Sequence, residues 1–244
     1  MLARALNASG TREHNERVRD LALGALELDP GSAEAVGLLS TSQVRARGNQ
    51  WADQLTHDPA ALAALARRAL ELSGESWQAQ LALGSALTLS GEFGEGLDVL
   101  QRAVRLNPSS VDALVMLTNS LARAGRAEEG VALLENARRL EPMPSDPQNF
   151  AFQHGLVYLA ARRPEEALLW VERARRLGPP HAHNERIKAC ALVELGRLEE
   201  ARAAVAELMR LSPDFRLSTY EQIVPPSTEI PRAIVALRAA GAPE

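Results

Sequence analysis

Along most of this chain, apolar residues recur about every three to four positions, which is the spacing of an amphipathic helix. Several of these runs stop at a Pro, which cannot continue a helical hydrogen-bond ladder. The steps from Pro108 to Pro142 and from Pro179 to Pro213 are both 34 residues, and the step between them is 37. The pattern predicts a repeated helix pair with a three-residue insertion near Ser145–Pro147.

Small residues recur at fixed places when each repeat is numbered so that its Pro is position 32. Positions 8 and 20 carry small residues, which lets two antiparallel helices approach closely. Position 8 is Gly84, Thr118, Gly155 and Ala189, and position 20 is Gly96, Gly130, Ala167 and Ala201. Position 15 is Gly in three repeats of four, and its residues are Gly91, Gly125, Arg162 and Gly196. A Gly at this position predicts the end of the first helix.

The spacing predicts four regular repeats and three less regular segments. The regular repeats are 77–110, 111–144, 148–181 and 182–215. The others are a partial repeat at 1–31, an elongated repeat at 32–76 and a C-terminal cap at 216–244. Their predicted helices are Glu13–Leu28, Ser32–Arg47, Ala60–Leu72 and Phe215–Val224, with a long turn around Trp51 and Asp58. A terminal helix is expected because an uncapped array exposes its core.

This period and its concordant small positions resemble the tetratricopeptide repeat. The resemblance implies an all-α fold, a right-handed α–α superhelical solenoid of helix hairpins with a C-terminal capping helix, in one domain over 1–244. Hinges at 48–59 and 144–147 stay open as an alternative to one rigid array. Position 4, where the family often has Trp, departs from the family pattern and reads Gln80, Leu114, Ala151 and Glu185.

Two stretches resemble a narrower group. The N-terminal LARAL, TREHNER and ALELDP, with the C-terminal PDFRLSTY and LRAAGAPE, are similar to the repeat region of bacterial class III adenylate/guanylate cyclases. A cyclase domain precedes the repeats in that family, and this sequence contains none. The resemblance therefore implies a bacterial regulatory or signalling module without cyclase activity. We predict a separated C-terminal part of a longer protein, or a shortened relative.

The tetratricopeptide resemblance also implies a concave groove lined by the first helix of each repeat. We call the side of these helices that carries positions 2, 5, 6, 9, 12 and 13 the inner face. The predicted binding residues are Asp112, Val115, Met116, Asn119, Arg123, Asn149, Phe152, Gln153, Leu156, His183, Arg186 and Ile187. Their mixture of apolar, amide and Arg side chains favours a protein or peptide partner. A family carboxylate clamp with Lys at position 5 and Asn at position 9 is not predicted, because position 5 beside Asn119 is Val115.

Composition narrows the function further. The formal net charge is −4, so the sequence gives no reason to expect nucleic-acid binding or a basic membrane-binding patch. No stretch approaches the roughly 18 apolar residues of a membrane span. We expect a cytoplasmic protein. The single cysteine, Cys190, excludes an internal disulfide.

Candidate catalytic and metal-binding motifs have simpler explanations. His181 and His183 are interpreted as surface histidines, because a metal site needs three or four converging ligands. Acidic pairs stand at the start of the second helices, where they complement the helix dipole. The pairs are Glu128 with Glu129, Glu165 with Glu166, and Glu199 with Glu200. We predict no enzyme, no cofactor and no metal ion. An enzyme that uses the groove and self-association into a homo-oligomer stay open as alternatives.

Overall fold

The computed structural model describes residues 12–48, 58–73, 75–144, 147–223 and 227–244. These ranges hold thirteen helices and no strand, which confirms the predicted all-helical fold class. The helices are α1 Arg12–Leu28, α2 Ala33–Gly48, α3 Pro59–Ser73, α4 Trp77–Ser90, α5 Phe93–Leu106, α6 Val111–Arg123, α7 Ala127–Leu140, α8 Pro147–Ala160, α9 Pro164–Leu177, α10 Ala182–Glu194, α11 Leu198–Leu211, α12 Leu217–Ile223 and α13 Ile230–Ala239.

The observed helices follow the predicted boundaries closely. The first was expected over Glu13–Leu28 and runs over Arg12–Leu28. The second helix of the elongated repeat was expected over Ala60–Leu72 and is α3. The start of the partial repeat, the turn around Trp51 and most of the insertion near Ser145 lie outside the described residues.

The turn between the two helices of a repeat is the same in all four regular repeats. The amide of position 16 donates to the carbonyl of position 11, as from Arg126 to Leu121 at 2.8 Å. This bond requires a left-handed residue at position 15. Position 15 has φ of 82°, 79° and 72° at Gly91, Gly125 and Gly196, and Arg162 adopts 63°.

Close helix approach explains the small residues at position 8. A Cβ added to Gly84 would lie 2.5 Å from Cγ of Leu100, and one added to Gly155 would lie 3.0 Å from Cγ2 of Val171. Interiors this dense do not accept an added carbon without displacing their neighbours. The predicted close approach of the two helices is therefore confirmed in these two repeats.

The departure from Trp at position 4 is clearest in the last repeat. Glu185 is almost wholly buried there and pairs with Arg175 of α9 at 3.3 Å between Oε1 and Nε. Burial raises the pKa of this carboxyl, and the charge of Arg175 opposes that rise. On the same two helices, Lys188 contacts Glu172 at 2.7 Å. An ionic contact therefore joins successive repeats where the family often has an aromatic ring.

The described chain divides into two compact units. The first holds the described residues up to Ser120 together with Asn136–Glu141, and the second holds Leu121–Glu135 and the residues from Pro142 onward. In the first unit, Leu39, Leu62, Leu83 and Leu87 belong to one apolar core. The prediction of a single solenoid over 1–244 stays a prediction, and each unit is described by itself below.

The second unit has a core that includes both the repeats and the C-terminal helices. Leu192 and Leu208 of the last repeat belong to the same buried cluster as Ile234 and Leu237 of α13. Phe215, just before α12, and Tyr220, on α12, belong to the same cluster. The C-terminal helices thus cover apolar surface of the last repeat.

Candidate partner-binding surface

In the first unit, the predicted binding residues lie on α6. Asp112 is exposed, whereas Val115, Met116 and Asn119 are half-buried. The amide oxygen of Asn119 is buried and accepts no hydrogen bond from any described residue. This part of α6 therefore offers apolar contacts beside a hydrogen-bond acceptor.

In the second unit, α8 presents a half-buried inner face. Asn149, Phe152, Gln153 and Leu156 are all partly accessible. Gln153 donates from Nε2 to Oδ1 of Asn149 at 3.5 Å, and its own amide oxygen is buried without a hydrogen bond to the described chain. Phe152 and Leu156 are partly buried and pack against the apolar core of the second unit. The face combines apolar contact area with amide groups.

Aromatic rings continue this face from α8 to α10. The centroid of Phe152 lies 5.9 Å from that of His183, and His183 lies 4.9 Å from His181. His181 also caps α10, because its Nδ1 accepts a hydrogen bond from the backbone amide of His183 at 3.4 Å. The start of α10 is thereby fixed beside Phe152.

The rest of the inner face of α10 is covered by the C-terminal segment, which we define as residues 215–223 and 227–244. Ile187 is 2% exposed and Cys190 is 3% exposed. The thiol of Cys190 donates to the carbonyl of Ala233 at 3.8 Å. The guanidinium of Arg186 lies 4.6 Å from the ring centroid of Tyr220, a favourable cation–π contact.

The C-terminal segment also contacts the C-terminal ends of three first helices. The amide of Thr228 donates to the carbonyl of Arg123, at the end of α6, at 3.1 Å. Arg232 donates from Nη2 to the carbonyl of Leu159 in α8 at 2.6 Å and pairs through Nε with Glu194 of α10 at 3.1 Å. Both carbonyls lie in the last turn of a helix, where intrahelical donors run out. The Leu159 carbonyl also accepts from the Arg162 amide at 3.1 Å, so Arg232 is its second donor.

Comparison with known proteins identifies the repeat. The family model described as tetratricopeptide repeat matches residues 59–111 and 115–182. The helix pairs in these two stretches match the tetratricopeptide repeat. No curated protein matches the chain significantly.

Solved structures of tetratricopeptide repeat proteins have a fold similar to that of this chain. A thermophilic TPR protein of Thermus thermophilus, TTC0263, is 21% identical with a TM-score of 0.56, and the match covers 75% of this chain and 96% of that one. YrrB, described as a TPR protein with an unusual peptide-binding site, is 18% identical with a TM-score of 0.52 over 82% of this chain and 97% of its own. MamA 41-end from Desulfovibrio magneticus RS-1 is 15% identical with a TM-score of 0.55, over 70% and 96%. Identities this low establish the fold alone.

Burial shifts the pKa of two groups on the inner face of the repeats. Burial lowers the pKa of Arg123, Tyr220 raises it, and the like charge of Arg186 lowers it further. Burial raises the pKa of the Cys190 thiol to about 12. The thiolate is the nucleophilic form of cysteine, so Cys190 is unreactive while the C-terminal segment covers it.

The acidic pairs at the start of the second helices have a structural role in three repeats. The second Glu of each pair contacts the Arg three residues earlier, at 2.6 Å for Arg126 with Glu129 and for Arg163 with Glu166. Arg197 with Glu200 repeats the pair at 2.7 Å. These acids are predicted from the sequence to complement the helix dipole, and the Arg at position 16 is a partner that this prediction does not include. A hydrogen bond from the Arg lowers the pKa of each of these three carboxyls.

Within the described ranges, no group of three or more His, Cys, Asp and Glu could hold a metal ion. None of the helices in these ranges is long and apolar enough to cross a membrane.

The position of the C-terminal segment differs from the prediction. Arg123, Arg186 and Ile187 are predicted to line an open groove, whereas Ile187 is buried and the segment contacts the other two. One signal was visible in the sequence. Positions 6 and 9 are the apolar Ile187 and Cys190 in the last repeat, a pair suited to burial.

Proposed function

We propose that this chain is a non-catalytic interaction scaffold that binds a peptide segment of a partner protein on the inner face of its repeats. The observation that carries the proposal is the half-buried surface of Phe152 and Leu156 on α8, continued by the ring of His183. Aromatic side chains at the centre of a partly desolvated surface contribute much of the energy of many protein interfaces.

The polar groups of this surface suit a peptide backbone. Gln153 has an accepting amide oxygen that forms no hydrogen bond to the described chain, and Asn149 lies one helical turn away. A peptide amide can donate to the Gln153 oxygen while its apolar side chains contact Phe152 and Leu156. YrrB, a protein of similar fold, is described as having a peptide-binding site, which supports this use of the repeats.

Peptide display against the full chain tests this proposal. A random peptide library is selected on the wild type, and recovered peptides are measured by fluorescence anisotropy. Phe152→Ala is expected to weaken binding by about tenfold or more. The matched control is Leu169→Ala, which removes a 70% exposed apolar side chain from α9. Equal losses for Phe152→Ala and Leu169→Ala, or unchanged affinity in both variants, would contradict a site on α8.

The finer parts of the proposal rest on the sequence. The resemblance to the repeat region of class III cyclases supports a regulatory role in the cytoplasm, and it predicts that the chain binds a purified cyclase catalytic domain of that family and changes its rate. Self-association is the other predicted use, and light scattering over a range of concentrations measures it. A constant monomer mass would contradict self-association, and an unchanged cyclase rate would contradict the regulatory role.

A further inference from the structure

The inner face of the second unit is already in contact with a peptide-like segment, which is the end of the same chain. Ile187 and Cys190 at repeat positions 6 and 9 are buried, and the C-terminal segment contacts Cys190 and the neighbouring Arg186. The same positions on α8 are Gln153 and Leu156, which are part of the proposed binding surface and stay half-exposed. The covered surface and the open surface are therefore equivalent faces of successive repeats.

The contacts of the segment define what the covered surface recognises. Tyr220 supplies an aromatic ring for the guanidinium of Arg186. Arg232 supplies a cation for Glu194 and a donor for the Leu159 carbonyl, and Thr228 donates to the carbonyl of Arg123. The covered surface therefore offers backbone carbonyls, the acidic Glu194 and the cationic Arg186. Such a surface suits an extended or helical peptide that carries one aromatic and one basic residue.

We propose that the C-terminal segment is a tethered, exchangeable ligand of the inner face and that it competes there with a partner peptide of the same aromatic and basic character. The competition rests on the proposed function, in which a partner binds on α8. A partner that extends from α8 towards the end of α10 meets residues 228–233, which contact Leu159, Cys190 and Glu194. Such a partner gains the inner face of α10 only when the segment leaves it.

The tether sets the outcome of this competition. A ligand on the same chain has a high effective concentration, so a free peptide of equal intrinsic affinity is outcompeted. The binding-competent state is then a minor state, and the apparent affinity for the partner is reduced by the fraction of chains in which the segment is displaced. Weakening the anchors of the segment therefore strengthens partner binding without any new contact to the partner.

Cys190 reports directly on departure of the segment. It is the only cysteine of the chain, and the segment covers it. The experiment measures the rate at which a disulfide reagent modifies Cys190 in the full chain under native conditions, and compares it with the rate of global unfolding extrapolated from urea. We expect the wild type to react faster than it unfolds, because the segment opens locally.

Anchor variants separate a ligand from an integral part of the core. Arg232→Ala removes the contacts to Glu194 and Leu159 and is expected to raise the Cys190 rate by at least about tenfold. Tyr220→Leu removes the ring over Arg186 but keeps apolar bulk, and it serves as a second variant if the first folds poorly. The matched control is Val235→Ala, on the same helix and 64% exposed in the wild type, which should leave the rate unchanged.

Adding the segment as a separate molecule completes the test. A synthetic peptide of residues 215–244 is expected to slow Cys190 modification in Arg232→Ala, whereas a scrambled peptide has no effect. Modification at the global unfolding rate in the wild type and in both anchor variants would overturn the proposal. Failure of the synthetic peptide to protect Cys190 would overturn it as well.

The two proposals fail in different ways. If display selects no peptide that depends on Phe152, the proposed function fails, and the Cys190 measurements still decide whether the segment is exchangeable. If a selected peptide binds, Arg232→Ala should tighten it by a factor similar to the rise in the Cys190 rate. An unchanged affinity together with a faster Cys190 reaction would show that the segment opens without competing, which contradicts the inference.

Discussion

Helices α8 and α10 are equivalent first helices of successive repeats, yet their inner faces are buried to different extents. On α8, Gln153 and Leu156 are half-exposed at positions 6 and 9. On α10, the same positions hold Ile187 and Cys190, which are almost fully buried, and residues from the end of the chain contact Cys190 and share the apolar cluster of Ile187. The repeat determines which face a position occupies, but a segment outside the repeats determines whether that face is accessible.

The largest expected effect compares the stability of the two faces. Ile187→Ala should lower the free energy of unfolding by about 2–4 kcal/mol, because it leaves a cavity in the core of the second unit. Leu156→Ala should cost only about 1–2 kcal/mol, because its side chain is already partly in water. Urea unfolding followed by circular dichroism measures both. Equal losses would mean that Leu156 is as deeply buried in solution as Ile187.

The turns that end the two helices give a smaller effect of opposite sign. Arg162 follows α8 at φ 63°, whereas Gly196 follows α10 at φ 72°. Arg162→Gly should stabilise the chain by about 0.5–1 kcal/mol, since a left-handed conformation is unfavourable for residues with a Cβ. Gly196→Ala should destabilise it by about 1 kcal/mol.

Thermal unfolding measures these two turn variants. A Cβ at Gly196 meets no atom within 4 Å, so its effect reports on the backbone conformation alone. Gly24→Ala, in the interior of α1 and equally free of contacts, is the control and should stabilise the chain. Destabilisation by Arg162→Gly would show that the Arg side chain matters more to the turn than its φ angle does.

The smallest expected effect is on the pH dependence of the segment that covers α10. Burial raises the pKa of Glu229 from 4.5, although the charge of Arg232 opposes the rise. The folded chain then binds this proton more tightly than the unfolded chain. The contribution of Glu229 to stability is therefore fully present below its unfolded pKa and is lost as the pH rises through its raised folded pKa.

Glu229→Gln should remove this loss of stability with rising pH. Urea midpoints recorded between pH 4.5 and neutrality measure it. Glu165→Gln, at an exposed carboxyl of α9, is the control and should leave the profile unchanged. A profile that is the same in the wild type and in Glu229→Gln would mean that Glu229 is well solvated.

The sequence predicted most of the repeat architecture, because the signals are local. The Pro residues at position 32 mark helix ends, and Gly84 and Gly155 mark places where helices touch. Even the exception at Arg162 was visible as a departure at position 15, and the structure gives it the same left-handed turn as the Gly residues.

The docking of the C-terminal segment could not be predicted in the same way. The spacing of Ile230, Ile234 and Leu237 predicts an amphipathic helix but does not say which apolar surface receives it. Its position depends on contacts such as Arg232 with Leu159, which are 73 residues apart and involve a backbone carbonyl that no sequence pattern marks.

The anchors of the C-terminal segment also constrain how this gene can evolve. Thr228 and Arg232 bond to backbone carbonyls at Arg123 and Leu159, so substitutions at those two positions leave the acceptors in place. The number of repeats is a different matter. Duplicating the α8–α9 pair would separate two acceptors that are matched to donors four residues apart, and deleting the pair would remove the Leu159 acceptor. We therefore expect lineages to vary in repeat number upstream of α6 and to keep it constant between α6 and α10.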